Sequence, residues 1–182
     1  DIYIDLEGHG REIFSDKIDL SRTVGWFTSV YPVRLKYENG QSIQDNLKSI
    51  KEQLRHIPAK GFGYGALRYL GGPNQNERLL SAPGADIVFN YLGQFNSLLE
   101  NNSWFTVAKE DRGHEHSLES DDPHPLSINS HIVGDSLRVD WIYSRAIFKS
   151  ETIEKLAQQY IAALEQLIQH CIQPIAFGYT PS

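Results

Sequence analysis

The sequence has one cysteine, Cys171, and no methionine in 182 residues. A lone cysteine excludes an internal disulfide framework and fits a reducing compartment, so a cytoplasmic location is expected. No apolar run approaches the ~20 residues that a membrane-spanning helix needs, and the opening residues do not read as a signal peptide. Positive charge is in the minority: 17 Lys and Arg stand against 23 Asp and Glu, a net charge of -6. A general nucleic-acid role is therefore not expected. Internal repeats and low-complexity tracts are also missing. The chain opens directly on strand-like DIYIDLEGHG and closes on linker-like GYTPS. Together with the lack of methionine, this is what a piece of a longer polypeptide is expected to look like.

What is present is ordinary for a globular domain: 40% apolar and 22% charged residues. A chain this long can bury roughly 70% of its unfolded surface without staples, so residues 1–182 are read as one domain. Ile2, Ile4 and Leu6 alternate with Tyr3, Asp5 and Glu7, which predicts a strand with one buried face ending at Gly8-His9-Gly10. TVGWFTSVYPVRL at 23–35 predicts a second strand, with Pro32 marking an edge or bulge. Ile43, Leu47, Ile50 and Leu54 recur at helical spacing before Pro58. A glycine-rich turn at 61–65 precedes ALRYL, which restarts a helix, and 71–84 reads as loop. Strands are predicted at 86–92 and 104–108, and a hairpin at 126–143 turned at Gly134-Asp135. Residues 109–125 read as a mobile polar loop. Ser150 is the expected N-cap of a final helix burying Ile153, Leu156, Tyr160, Ile161, Leu164, Leu167, Ile168 and Cys171. The fold class is α+β: a mixed sheet covered by at least two helices.

Several residues offer chemistry. Glu7 sits at a strand end before a small-residue turn, where a desolvated carboxylate becomes a usable base or acid. Read locally, an exposed loop glutamate fits as well or better. Arg11 could orient that carboxylate or form a structural ion pair with Glu12 or another neighbour, and His9 reads as a turn histidine satisfied by backbone. Asn90 and Tyr91 face opposite sides of a regular strand, so one cleft receives both only if the strand bulges at Gly93. An amide there could polarise a carbonyl and a phenol could take part in proton transfer, but read locally core packing for Tyr91 and a backbone-satisfying side chain for Asn90 fit better. The Gly61-Gly63-Gly65 spacing lacks the lysine and serine of a phosphate loop and reads as a tight turn. His114, His116 and His124, near Glu115, Asp121 and Asp122, invite a metal, but a flexible acidic loop without a second shell predicts none.

Taken in order, EGHGRE (7–12), RTVGWFTSVYPV (22–33), PAKGFGYG (58–65) and FNYLGQF (89–95) resemble the last four core motifs of epimerization domains in nonribosomal peptide synthetases. LSINSHIVGDSLRVDWIYS, from 126 onward, is also similar to that family. The resemblance implies one lobe of a chloramphenicol-acetyltransferase-like fold, in which two lobes enclose a tunnel; this chain corresponds to the C-terminal lobe. It implies an isomerase activity that interconverts L and D forms of an aminoacyl or peptidyl thioester. That substrate is carried on the 4'-phosphopantetheine arm of a peptidyl carrier protein, and no cofactor is bound by the lobe itself. The implied site residues are Glu7, Arg11, Asn90 and Tyr91. The implied partners are the N-terminal lobe, the carrier protein and neighbouring synthetase modules in antibiotic or other secondary-metabolite biosynthesis. The family's HHxxxDG motif is absent from this sequence, so the 182-residue chain alone is expected to be inactive. A condensation or dual condensation–epimerization lobe, or a non-catalytic carrier-docking lobe, are the alternatives.

Overall fold

Period-two alternation at the start of the chain sets the two faces of the sheet. The computed structural model of the protein describes residues 1–11, 18–94, 110, 113 and 123–173. Its first strand, β1, runs Ile2–Gly8, followed by β2 (Ser29–Leu35). Helices α1 (Ile43–Arg55), α2 (Gly63–Leu70) and α3 (Pro73–Leu80) come next, with a short 3-10 turn at Pro58–Gly61. Then come β3 (Ile87–Gln94), the hairpin β4 (Leu126–Val133) and β5 (Ser136–Tyr143), and the long helix α4 (Ser150–Cys171). The strands form one sheet in the order β2-β1-β3-β4-β5. β3 is parallel to both β1 and β4, while the outer pairs are antiparallel. This is the expected α+β mixed sheet, with Pro32 on an edge strand, where its missing N–H does no harm.

The register gives each face a character. Leu6, Phe89, Ile128 and Trp141 stand in line across four strands. Against this apolar row α4 lays Ile153, buried with Leu126 and Ile128. Tyr160 meets Trp141 edge-on with ring centroids 5.8 Å apart, an arrangement that aromatic quadrupoles favour. The opposite face is polar: Asn90 pairs with Asn129, which pairs with Asp140, and Asp5 and Glu7 share that side of β1.

Four expectations are corrected. Residues 23–28 are not strand, because the Arg11 guanidinium takes the carbonyls of Leu20, Thr23 and Gly25 away from any ladder. Within the segment read as loop, Pro73–Leu80 is helical; proline at a first helical position lacks only a donor that would be unpaired there anyway. The cap of α4 is Lys149, and Ser150 is its first residue, accepting from the Tyr143 hydroxyl at 3.1 Å. Cys171 is exposed rather than core, and Leu156, Ile161 and Ile168, also expected to be buried, are 39%, 43% and 50% exposed. The helix buries a narrower stripe than its apolar content suggests: Ile153 is buried, and Tyr160, Leu164 and Leu167 are partly so. The predicted strand at 104–108 and most of the polar loop lie outside the described residues.

The glycine turn is structural. Gly61 has φ 80°, and a Cβ there would lie 2.1 Å from Cγ of the Tyr31 ring. Ser42 caps α1, accepting from the Asp45 backbone N–H at 3.1 Å.

Candidate active site

β1 delivers Glu7 to the last turn of the strand, on the polar face of the sheet. The EGHG run then reverses the chain in a way that only its own residues allow. His9 Nδ1 accepts from the Arg11 backbone N–H at 3.0 Å, tying the turn to itself. Gly10 has φ 64°, and a Cβ there would sit 1.5 Å from the Phe27 carbonyl oxygen. Glycine is therefore required at this position by both dihedral and contact.

Glu7 and Asn90 are brought together by the parallel seam. The register Asp5 to Val88 and Leu6 to Phe89 leads to Glu7 beside Asn90 one step further on. Asn90 Nδ2 donates to Glu7 Oε2 at 2.7 Å. Asn90 is itself held: its carbonyl accepts from the hydroxyl of Ser130, which is 2% exposed. Partial burial pushes the Glu7 carboxyl above its ordinary range, and the nearby His124 charge pulls it partly back. A carboxyl so placed is a better base at neutral pH than a surface glutamate, with one oxygen fixed and the other available.

The other two expected site residues are placed differently. Arg11 donates to three backbone carbonyls, those of Leu20 (3.3 Å), Thr23 (2.9 Å) and Gly25 (3.3 Å). Its guanidinium also lies 4.6 Å from the centroid of the Phe27 ring. Among the described residues it makes no hydrogen bond or ion pair with Glu7; it fastens the segment that follows the turn. Glu12 lies outside the described residues. Tyr91 follows Asn90 in a still-regular strand and so points to the other face. It is 52% exposed. The bulge does occur at Gly93, which has φ 82°, but it comes after both residues and does not bring them to one side.

Sequence reading missed two members of the cluster. Asp5 and His124 meet through Asp5 Oδ2 and His124 Nε2 at 2.7 Å, both largely buried. Asp5 carried a signal, because it shares Glu7's face; His124 carried none, since its partner is 119 residues away in the chain. His114 and His116 lie outside the described residues. Among those described, no group of three His, Cys, Asp or Glu side chains could hold a metal, and no helix is long and apolar enough to cross a membrane.

Comparison with known proteins gives a consistent family signal. A family model described as the condensation domain matches residues 1–180. A linear gramicidin synthase protein of Brevibacillus parabrevis is 44% identical over 182 residues, which is all of this chain and 2% of that protein. The crystal structure of the epimerization domain from the third module of tyrocidine synthetase B superposes with a TM-score of 0.83 at 38% identity. It covers 94% of this chain and 37% of that one. The starter condensation domain of the rhizomide synthetase superposes with a TM-score of 0.57 at 16% identity, a likeness of fold, over 99% of this chain and 40% of that one. The chain thus spans 2% of that synthase protein and 37% and 40% of the two solved chains.

Proposed function

The chain belongs to the condensation-domain family, and we propose that within it the chain is the C-terminal lobe of a nonribosomal peptide synthetase epimerization domain. The observation that carries this reading is the Glu7–Asn90 pair: a partly buried carboxylate, raised by its surroundings, with one oxygen held by an amide. The likeness to a solved epimerization domain at 38% identity supports it.

The substrate is an aminoacyl or peptidyl thioester on the 4'-phosphopantetheine arm of a peptidyl carrier protein, and the arm enters as part of the substrate. Glu7 takes the α-proton through its free oxygen: the Cα–H bond breaks, an O–H bond forms, and the electron pair moves onto the thioester as an enolate. Asn90 keeps the carboxylate aimed while this happens. Return of a proton to the opposite face gives the other enantiomer, and the acid for that step comes from the HHxxxDG motif of the N-terminal lobe. Arg11 acts at a distance by fixing the segment 20–27 beside the turn.

The test is α-proton exchange in deuterated water, measured on the complete two-lobe domain with a carrier-bound aminoacyl thioester. Wild type is expected to exchange. Glu7→Gln is expected to lose at least about a hundredfold in rate, the usual contribution of a general base. Unchanged exchange in that variant removes Glu7 from the reaction. Amide formation with a second aminoacyl carrier, in the absence of exchange, places the chain among the condensation enzymes instead.

A further inference from the structure

Asp5 and His124 share the polar sheet face with Glu7 and have no part in the chemistry described so far. Side chains two apart on a strand stand about 7 Å from one another on the same side, so Asp5 and Glu7 bring two carboxylates to one small area. His124 Nε2 lies 2.7 Å from Asp5 Oδ2, with the two side chains 14% and 19% exposed. A carboxylate only accepts, so Nε2 carries the proton and donates. This fixes the ring's orientation and gives Asp5 a partner. Of the other charged groups near Asp5, Arg34 pairs with Asp1, while Arg68, which donates to the Tyr64 hydroxyl at 2.9 Å, also feels the Asp5 charge. Both arginines line a cleft of about 350 Å³ together with Asp5 and Tyr3.

We propose that His124, gripped by Asp5, is a positioning residue for Glu7: its charge offsets the second carboxylate of this face and sets the pH at which Glu7 serves as a base. This rests on the reading of Glu7 as the acid–base group. The charge of His124 acts on Glu7 against the effect of burial, in the direction that the proposal requires.

The coupling is tested without any enzyme assay. In the 182-residue chain, the Glu7 carboxyl carbon and the His124 ring nitrogens are followed by NMR across about pH 4 to 9. In wild type, the Glu7 signal is expected to show a second step where His124 titrates. His124→Gln keeps an N–H for Asp5 and loses the charge. It is expected to abolish the second step and to raise the Glu7 titration by about half a pH unit or more. A single-step Glu7 titration in wild type, with nothing at the His124 transition, overturns the proposal, and wild type alone suffices to see it. In the complete domain, His124→Gln is expected to move the acid limb of the exchange profile upward by the same amount and leave KM unchanged. A uniform drop with the limb unmoved overturns the proposal, since that is the effect of a merely structural side chain. If the complete domain shows no exchange while the two titrations remain coupled, the epimerization reading fails and the coupling stands.

Discussion

Burial and charge pull Glu7 in opposite directions, and burial wins: its carboxyl is raised above 4.5. The native chain therefore binds this proton more tightly than the unfolded chain does. Stability from this residue is greatest below 4.5 and is lost as pH rises through the native value. Glu7→Gln keeps an acceptor for Asn90 and removes the charge. The variant is expected to melt at a higher temperature than wild type near pH 8, with the difference closing by about pH 4, where the carboxyl is protonated in both states. Thermal melts at the two pH values check this. A lower melting point for the variant near pH 8 would mean that the ionised carboxylate is stabilising where it sits.

At the scale of elements, the turn after β1 and the segment it holds are one unit. Arg11 supplies three donors to backbone carbonyls and a flat cation against Phe27. Lysine reaches one or two of those acceptors and stacks poorly. Arg11→Lys is expected to cost roughly 1–2 kcal/mol by denaturant melts, and to raise amide exchange across 20–27 while leaving β4 and β5 protected. Uniform loss of protection would deny that Arg11 acts locally. This unit also shows where sequence reading stops. β1, α1 and the β4–β5 hairpin were legible because period, cap and turn residue lie inside a dozen neighbouring positions. Residues 23–28 carry strand-forming side chains, yet a contact from Arg11 overrides them. α3 was hidden by a Gly-Gly-Pro-Asn run whose loop character ends at the proline that opens the helix.

At the scale of the whole molecule, the chain carries much apolar surface. Val24 is 100% exposed, Trp26 89%, Leu70 86% and Tyr69 76%. The reading of the chain as one lobe predicts that an N-terminal lobe covers part of such surface. The 182-residue chain by itself is expected to show no α-proton exchange, and exchange is expected to appear when the N-terminal lobe is supplied as a separate polypeptide. Activity of the lone chain would refute the division of the site between two lobes. Motif order pointed to Glu7, Arg11, Asn90 and Tyr91; the structure brings Glu7 and Asn90 together and leaves Arg11 and Tyr91 apart from them. The Asp5–His124 contact was not legible: Asp5 could be placed on the face of Glu7 by strand alternation, but nothing local to His124 announces a partner 119 positions away.

That distance has a kinetic side. The Glu7–Asn90 and Asp5–His124 contacts close loops of 83 and 119 residues, and β1 meets β3 along a parallel seam with just two register pairs, Asp5 to Val88 and Leu6 to Phe89. Contacts of such long range demand their loop entropy before they return any energy, so they form late. During synthesis, β1 and β2 can pair soon after they emerge, but the carboxylate of Glu7 stays without its amide until β3 has been made, and that of Asp5 without its histidine until residue 124 has followed. The cluster therefore cannot close before residue 124 has been made.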